Sequence, residues 1–451
     1  MYDLIVIGAG PGGYEAAAHA GRMGKKVALI EKERMGGCCL NVGCIPAKTF
    51  LRSSKLFHEC RQAASYGVRI GTLEFDMPKV VERKNKIVGT LGKGVQGMLK
   101  HAGVEVITGL ARLSSRTAVL VTTESGSEKY EAKNILIATG SRPAVPPIPG
   151  IRSERVLDSD TVFNLTQIPG KIAIIGGGYI GLEFACFFNE IGARVSVFEM
   201  LPQIAAGADQ EISSRMLQIL KRAGIDFKLC CKVLEIKEGI VHYATDDGSQ
   251  ASAPTDYVLN STGRAPNVTD LGLEDVGVDF NTKGIKTSDQ GKTNIPGVWA
   301  CGDVTGRRML AHAATREGLV AVNNMFGKKE RIRYHAIPAV IYTHPEVSSV
   351  GKTEEELKAE GIEYKKSVVP MTVAGRFLVE NEGGTGLVKV LTGARYNQIL
   401  GVHAIGDASS EFIIAAATMV EMEMCISDVS DIVFPHPTVS EALREALVQT
   451  H

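Results

Sequence analysis

The chain has 451 residues, with 50 Lys and Arg against 50 Asp and Glu and a formal net charge of zero at pH 7. This length predicts about three domains, and 44% hydrophobic with 22% charged residues is ordinary for a globular protein. The balanced charge excludes a general polyanion binder, because no net positive field gathers phosphates. We therefore expect no nucleic acid as a partner.

The start of the chain and its apolar stretches predict a cytoplasmic protein. Met1 leads directly into apolar residues, with neither the basic region nor the small-residue cleavage site of a signal peptide. The longest uncharged apolar stretches, 172–182 and 412–420, are shorter than the ~18 residues that would span a bilayer. We expect no membrane partner and no metal. The nine cysteines are expected to be free thiols or redox groups, because structural disulfides are rare in the cytosol.

A unit of strand, glycine loop, helix and strand opens the chain over residues 4–31 and recurs, 168 residues later, over 172–199. Glycines at this spacing let the backbone approach a pyrophosphate at a helix N-terminus, and the final carboxylate can bind a ribose diol. The two units predict an α/β protein with two doubly wound, Rossmann-like dinucleotide-binding domains. Their key residues are Gly8, Gly10, Gly12, Gly13 and Glu31, and then Gly176, Gly178, Gly181 and Glu199.

A cysteine pair follows the first unit. Cys39 and Cys44 would close a ring of six residues, which chain entropy stabilises by only ~2 kcal/mol against ~5 for a hundred-residue loop. So weak a bridge beside a nucleotide loop predicts a redox group rather than a structural one; buried free thiols are the alternative. Pro46 marks the first turn of the next helix, whose positive end favours a Cys44 thiolate. Lys48 shares the helix face of Cys44 and could act with it. An ordinary solvated lysine is the alternative.

The rest of the chain predicts further elements in order. Residues 44–66 and 73–102 are predicted helices, and 104–140 alternate like short strands. The stretch 143–150 is rich in proline, a turn residue, and is predicted to connect two domains. In the second unit, Glu183 lies among apolar neighbours that indicate a buried setting and a required partner; an ordinary helix residue is the alternative. Strands follow at 226–262 and 297–301, then a helix near 310–326, and after 333 an α+β pattern without a cofactor signature.

The C-terminal stretch contains a third constellation. Pro435 and Pro437 hold His436 in extended backbone. One interpretation is a dyad in which Glu441 orients His436 as a base. The alternatives are a core histidine and a capping box formed by Thr438 and Glu441.

Together these motifs resemble the pyridine nucleotide-disulfide oxidoreductases, and the resemblance covers nearly the whole chain. It rests on the two glycine loops, the cysteine segment 36–48, and the stretches 138–140, 262–267, 301–303 and 436–438. It implies an FAD-dependent enzyme that reoxidises protein-bound dihydrolipoamide and reduces NAD to NADH. Because no Arg follows Glu199 to receive a 2′-phosphate, the second site is expected to prefer NAD to NADP.

Other functions compete with this one. Another disulfide reductase of the family, such as a glutathione reductase, is the alternative activity. Mercuric reductase and high-mass thioredoxin reductase are disfavoured, because residues 446–451 lack paired cysteines. A non-catalytic assembly subunit is disfavoured by the presence of every catalytic group.

The resemblance implies a division of the chain and a set of partners. Residues 1–145 and 263–332 would form the FAD-binding domain, 146–262 the NAD-binding domain, and 333–451 a C-terminal α+β dimerisation domain. The protein would be a homodimer whose catalytic base comes from the partner subunit. Its other partners would be lipoyl-bearing proteins of 2-oxo acid dehydrogenase or glycine cleavage complexes.

The resemblance also implies roles for single residues. Cys44 would be the sulfur next to the flavin, Cys39 the interchange thiol, and Lys48, paired with Glu183, a cation near the flavin. His436 and Glu441 would be the base and its orienting group. Cofactor binding is further assigned to Gly8, Gly10, Gly12, Gly13, Glu31, Lys32, Gly37, Cys38, Lys48, Ala111, Thr139, Gly140, Gly176, Gly178, Tyr179, Gly181, Glu199, Val233, Gly263, Arg264, Gly302, Asp303, Leu310 and Ala311.

Four residues depart from the family pattern: Cys38, Ala47, Tyr179 and Pro435. Ala47 replaces a common Ser, and Pro435 the usual Ala before the base. Cys38 stands where relatives usually have Thr, and it places a second thiol beside Cys39. Tyr179 follows the second glycine loop, where lipoamide enzymes often carry an aliphatic residue and glutathione reductases a tyrosine.

Overall fold

The computed structural model describes residues 1–450, and the N-terminal part builds a seven-stranded sheet. Its strands lie in the order β3-β2-β1-β6-β5-β4, and a strand from later in the chain pairs with β6. Strands β1 and β2 are apolar and almost entirely buried, as expected of parallel strands covered on both faces. The elements are β1 (Tyr2–Ile7), α1 (Pro11–Arg22), β2 (Val27–Glu31), α2 (Gly37–Val42), α3 (Cys44–Gln62), α4 (Met77–His101), β3 (Glu105–Thr108), β4 (Leu110–Ser115), β5 (Ala118–Thr123), β6 (Gly126–Ile137) and β7 (Ser141–Pro143).

The second glycine unit heads its own parallel sheet of five strands, in the order β11-β10-β9-β15-β8. A three-stranded antiparallel sheet, β12-β13-β14, is inserted before its last strand. The elements are β8 (Val156–Asp158), β9 (Lys171–Ile175), α5 (Tyr179–Glu190), β10 (Arg194–Phe198), α6 (Gln210–Arg222), β11 (Asp226–Lys228), β12 (Lys232–Lys237), β13 (Ile240–Ala244), β14 (Gln250–Pro254), β15 (Tyr257–Asn260) and β16 (Arg264–Pro266).

The two chain segments that connect these sheets pair with each other. Strand β7 leaves the first sheet and β16 returns to it, and the two form an antiparallel ribbon in which Arg264 faces Pro143. The chain then adds α7 (Leu273–Val276), β17 (Phe280–Asn281), β18 (Gly284–Ile285), β19 (Val298–Ala300) and α8 (Ala311–Met325). Strand β19 runs parallel to β6, and α8 packs on α1. The exact domain boundaries at 145, 262 and 332 stay predictions.

The last part of the chain forms a five-stranded antiparallel sheet, β20-β21-β24-β23-β22, with α11 on β21 and β24 and α13 on β22 and β23. The predicted apolar face of the last helix, Val439, Ala442, Leu443, Ala446 and Leu447, is buried in this core. The elements are β20 (Ala339–Ile341), β21 (Val347–Gly351), α9 (Glu354–Ala359), β22 (Tyr364–Pro370), α10 (Gly375–Glu380), β23 (Leu387–Gly393), β24 (Ile399–Ile405), α11 (Ser409–Glu421), α12 (Ile426–Ser430) and α13 (Glu441–Val448).

The predicted helices agree with the structure apart from their ends. Helix α3 stops at Gln62, and residues 63–66 continue as a 3-10 turn. Helix α4 begins at Met77 rather than 73, because the Asp76 side chain accepts a hydrogen bond from the Lys79 backbone and caps it. The sequence analysis missed α2, a six-residue helix that has no capping side chain. Over residues 1–450, no helix combines the length and the apolarity needed to cross a membrane.

A buried ion cluster joins the second sheet's domain to the C-terminal domain. The Lys389 ammonium, fully buried on β23, donates to Asp209 at 2.9 Å and to Glu354 at 2.5 Å, and lies 3.2 Å from Glu211. Asp209 and Glu211 stand at the start of α6, and Glu354 at the start of α9. Although burial opposes it, hydrogen bonds from Lys358 and Lys389 hold the pKa of Glu354 well below its usual range.

We predict that Lys389→Met lowers the free energy of unfolding by about 3–5 kcal/mol, because it leaves buried carboxylates without their cation. Lys358→Met is the matched control: Lys358 also pairs with Glu354, but its side chain is 61% exposed, so its loss should cost at most about 1 kcal/mol. Urea unfolding of both variants at pH 7 measures the difference. Equal losses would show that the buried cluster adds nothing beyond a surface pair.

Candidate active site between two glycine loops

The two glycine loops have the same geometry. The first glycine of each has a positive φ, +101° at Gly8 and +105° at Gly176, which favours glycine. A Cβ on the last glycine would lie 1.9 Å from the Gly8 oxygen in the first loop and 2.1 Å from the Gly176 oxygen in the second. These glycines therefore serve close packing of helix on strand. These last glycines are Gly13 in the first loop and Gly181 in the second.

The middle glycine of each loop faces the space in front of a helix. A Cβ built on Gly10 or Gly178 would meet no atom within 4 Å. Both residues are N-caps, of α1 and α5, and neither helix has a capping side chain. Backbone N–H groups at such a helix end bind phosphate, so both loops fit the pyrophosphate of a dinucleotide. Gly12 instead faces α8, where its Cβ would lie 3.0 Å from the Ala314 oxygen.

Glu31 and Glu199 contact their glycine loops in the same way. The Glu31 carboxylate accepts hydrogen bonds from the backbone N–H of Ala9, at 2.7 Å, and from the backbone N–H two positions after Glu31 itself, at 2.9 Å. The Glu199 carboxylate accepts from the backbone N–H of Gly177, at 2.6 Å, and from the backbone N–H two positions after Glu199 itself, at 2.8 Å. Each carboxylate thus lies beside its loop, where it can accept from a ribose diol and repel a 2′-phosphate. The adjacent Lys32 is exposed and pairs with Glu33.

A polar network connects the interdomain ribbon to the turn after β19. The Arg264 Nε donates to the Ser141 hydroxyl at 2.7 Å, and that hydroxyl donates to Asp303 at 2.6 Å. Arg264 also lies 3.3 Å from Asp160. Burial raises the pKa of the neighbouring Cys38 thiol to about 11, although the Arg264 cation acts in the opposite direction. Cys38 is therefore a protonated thiol at neutral pH, unlike a reactive cysteine.

The other predicted cofactor residues lie in loops, at helix starts and in two strands, β4 and β12. Thr139 and Gly140 follow β6, and Thr139 donates to the Asn267 oxygen at 3.0 Å. A Cβ on Gly37 would lie 2.6 Å from Gly10, so α2 begins against the first glycine loop. Leu310 caps α8. The remaining positions are Ala111 in β4, Gly302 and Ala311 at helix starts, Tyr179 as the first residue of α5, Val233 in β12, and Gly263 before β16.

Cys39 and Cys44 are free thiols on consecutive helices, hydrogen-bonded to each other. Cys39 lies in α2, and Cys44 is the first residue of α3. The hydrogen bond from Cys39 and the cation of Lys48 lower the pKa of Cys44, against the effect of burial. The same hydrogen bond and burial raise the pKa of Cys39. The reduced pair therefore holds its negative charge on Cys44, the sulfur at the positive helix end.

Lys48 and Glu183 form the predicted ion pair between α3 and α5. The Lys48 ammonium lies 2.9 Å from both carboxylate oxygens, and Glu183 is only 8% exposed. A residue from the C-terminal domain completes the group: the Tyr342 backbone N–H donates to Glu183 at 3.0 Å. The Tyr342 ring lies 4.4 Å from the Lys48 ammonium, in cation–π contact.

His436 and Glu441 are in contact, and both interpretations of Glu441 apply to it. One carboxylate oxygen lies 2.9 Å from His436 Nδ1, and the other accepts from the Thr438 backbone at 3.0 Å. The second contact is half of a capping box, although Ser440 is the N-cap of α13. The interpretation of His436 as a core histidine is wrong, because its side chain is 78% exposed. The hydrogen bond from His436 lowers the pKa of Glu441.

Sequence analysis missed two residues of this region, Tyr342 and Glu317. Tyr342 is 159 residues from Glu183, and no local pattern connects them. Glu317 is buried in α8 and accepts from the Gly302 backbone at 2.6 Å and from the Tyr334 hydroxyl at 3.0 Å. Burial raises its pKa to about 7. A glutamate on the apolar side of a predicted helix is a signal that could have identified it.

Comparison with known proteins agrees with this geometry. A family model described as pyridine nucleotide-disulphide oxidoreductase matches residues 2–318, and the model of that family's dimerisation domain matches 337–447. Dihydrolipoyl dehydrogenase 3 of Pseudomonas aeruginosa is 39% identical over 461 residues, covering 100% of this chain and 98% of that protein.

Two solved structures are similar over the whole chain. The HOCl-induced flavoprotein disulfide reductase RclA from Escherichia coli has a TM-score of 0.88 and 27% identity, and 100% of both chains is covered. LpdA from Mycobacterium tuberculosis has a TM-score of 0.92 with 24% identity, and 99% of both chains is covered. The second similarity shows a shared fold.

Proposed function

The chain belongs to the pyridine nucleotide-disulphide oxidoreductase family, and from this premise we propose that it is an NAD-dependent dihydrolipoyl dehydrogenase. The observation that carries the proposal is the position of the dithiol. Helix α2, with Cys39, begins against the first glycine loop, and Cys44 starts the helix that is ion-paired to the helix of the second loop. A dithiol so placed can pass electrons to a cofactor on the first loop, which relays them to a cofactor on the second. The full-length relative named dihydrolipoyl dehydrogenase supports this substrate.

The residues present fit two dinucleotides. FAD would be held by the loop of Gly8, Gly10 and Gly13, with Glu31 at its ribose and Asp303 further along it. NAD would be held by the loop of Gly176, Gly178 and Gly181, with Glu199 at its ribose. Bound FAD supplies the two-electron carrier between the dithiol and NAD.

The chain's own residues carry the thiol chemistry. His436, oriented by Glu441, accepts a proton from dihydrolipoamide. In the oxidised form of the cysteine pair, the resulting substrate thiolate attacks the Cys39 sulfur and displaces Cys44 as a thiolate. The second substrate thiol then displaces Cys39, so lipoamide leaves as a disulfide and both cysteines are reduced. The Lys48 ammonium stabilises the Cys44 thiolate, and its ion pair with Glu183 holds it near that sulfur.

The proposal includes a homodimer and a cytoplasmic location. The family's dimerisation domain covers residues 337–447, and within one chain His436 is exposed on the surface of that domain. A base supplied to the partner's dithiol accounts for this exposure. Lipoyl-bearing proteins of 2-oxo acid dehydrogenase or glycine cleavage complexes would deliver the substrate. Cysteine usage supports this location: nine cysteines in a large chain are more often free thiols or redox groups than structural disulfides in a reducing compartment.

Turnover assays test the activity directly. Purified, FAD-loaded protein is mixed with dihydrolipoamide and NAD, and separately with glutathione disulfide and NADPH. NADH formation in the first assay alone is the expected result. Reduction of glutathione disulfide alone would establish the rival activity, which the tyrosine at position 179 favours and the carboxylate of Glu199 opposes.

Glu199→Arg should shift the preference from NAD towards NADP. The substitution removes a ribose acceptor and supplies a cation for the 2′-phosphate. We expect the ratio of kcat/KM for NAD over NADP to fall by at least about tenfold, on the order of 1.4 kcal/mol. Wild-type protein that uses both nucleotides equally would contradict the assignment of Glu199. Glu33→Arg, on an exposed residue outside the second loop, is the charge-matched control.

Cys39→Ser and Cys44→Ser should both bind FAD and lose dithiol turnover, but their absorbance spectra should differ. With Cys39 removed, the remaining Cys44 thiolate can give a long-wavelength charge-transfer band with oxidised flavin. With Cys44 removed, no such band is expected, because Cys44 is the sulfur assigned to the flavin and Cys39 is the interchange thiol. Spectra of the two variants at pH 7 and 9 measure this difference. Identical spectra would reject the assigned order of roles.

A mixture of His436→Ala and Cys39→Ser subunits should regain activity, although each variant is inactive alone. In a C₂ dimer whose base crosses the interface, each heterodimer has one intact site and one site with both defects. Heterodimers are half of a random mixture, so about a quarter of wild-type activity should return. Mass spectrometry verifies the exchange of subunits. Background activity after verified exchange would place the base and the thiols in the same chain.

A further inference from the structure

A second cluster of charged side chains lies two helical turns beyond the Lys48–Glu183 pair. Lys55 follows Lys48 by seven residues on α3, and Glu190 follows Glu183 by seven on α5, so each pair shares a helix face. The C-terminal domain contacts both levels, since Tyr342 donates to Glu183 and His344 lies 3.2 Å from Glu190. The same two helices and the same C-terminal segment thus meet twice. None of the roles assigned above uses the second meeting point.

His344 bridges two carboxylates at this second level. Its Nδ1 lies 3.2 Å from Glu190 and its Nε2 lies 3.5 Å from Asp407. Glu190 is 7% exposed and also accepts from the Ser54 hydroxyl at 2.5 Å. Asp407 lies 2.5 Å from the Lys55 ammonium, and its second carboxylate oxygen is buried without a hydrogen-bond partner.

Charge balance at this level favours a protonated imidazolium. Two largely buried carboxylates face one ammonium, so the group carries a net negative charge unless His344 is positive. His58 stacks edge-on at 5.2 Å between ring centres and makes its own hydrogen bond to Gln62. Although burial opposes it, the hydrogen bond that His344 donates to Glu190 and the charge of Asp407 raise the pKa of His344. The other ionisable groups nearby are Glu59 and Arg61 on α3, Cys186 on α5, and Glu346 in the C-terminal domain.

We propose that protonated His344 is a positioning residue, which clamps α3, α5 and the C-terminal domain together and thereby fixes Lys48 beside Cys44. The inference deepens the proposed function, since it concerns the same redox pair. If α3 and α5 separate at the second level, the next contacts between them are the rings of Phe50 and Phe187, 5.1 Å apart between centres, and then Lys48 with Glu183. Neutral His344 would then leave Lys48 less well held, and the Cys44 thiolate would lose part of its stabilising cation.

The pH dependence of this clamp has a definite sign. Because the folded-state pKa of His344 is raised above its ordinary value of 6.5, its stabilising effect is fully present below pH 6.5. The effect is lost as pH rises through the folded-state pKa. The clamp therefore weakens as pH rises above 6.5.

The test measures the Cys44 thiolate by spectroscopy, without any dithiol substrate. FAD-loaded Cys39→Ser protein has one thiol of the pair, whose thiolate–flavin absorbance band is titrated with pH. Adding His344→Gln, which is neutral at every pH, should lower the fraction of Cys44 thiolate at pH 7 about threefold. His344→Arg, which keeps a cation between the carboxylates, should restore the wild-type midpoint. His58→Gln is the matched control and should leave the midpoint unchanged.

Urea unfolding between pH 6 and pH 9 distinguishes a positioning role of His344 from a purely structural role. The wild type should lose stability across this range in a step that is absent from His344→Gln. A His344→Gln variant with lower stability but an unchanged Cys44 midpoint would reduce His344 to a structural role and overturn the proposal. An unchanged pH step in that variant would show that another group titrates.

Two further outcomes are decisive. If His344→Gln does not fold, His344→Arg must still show the wild-type Cys44 midpoint and no pH step, and a shifted midpoint overturns the clamp. A protein without activity on dihydrolipoamide would remove the proposed function, but it would leave both readouts of the clamp intact.

Discussion

The arrangement of the site depends on one ion pair, between the half-buried Lys48 and the buried Glu183. Lys48 follows Cys44 on the same helix, and Glu183 follows the second glycine loop on another. A buried carboxylate that loses its cation costs several kcal/mol, so the two helices cannot slide past each other without a penalty. The position of the dithiol relative to the second nucleotide loop is set by this contact.

The duplicated nucleotide units explain why the dithiol lies where it does. In both units a strand ends in a glycine loop, a helix begins without a capping side chain, and a carboxylate from the next strand accepts the loop's backbone N–H. Both loops therefore present backbone donors at a helix end. The insertion of α2 and the start of α3 after the first unit places the thiols against the first loop, and the ion pair brings them towards the second.

The C-terminal domain has two relations to this site. It holds the two nucleotide domains through the backbone N–H of Tyr342, the His344 group and the buried Lys389 cluster. It also presents His436, with Glu441, on its exposed surface. A domain that fixes the site of its own chain and exposes a base to the outside is suited to a dimer in which each subunit completes its partner.

The sequence by itself determined the parts of the molecule whose cause is local. Glycine spacing, helix periodicity and apolar strands predicted both nucleotide units, helices α3, α4 and α8, and the buried face of α13, because backbone geometry and side-chain period are set within a few residues. The family resemblance added the pairing of Lys48 with Glu183 and of His436 with Glu441. Only the tertiary structure decided the contacts of Tyr342, His344 and Lys389, because each joins groups far apart in the chain. Their charges and hydrogen bonds acquire partners only when the domains pack, and no local pattern encodes that packing.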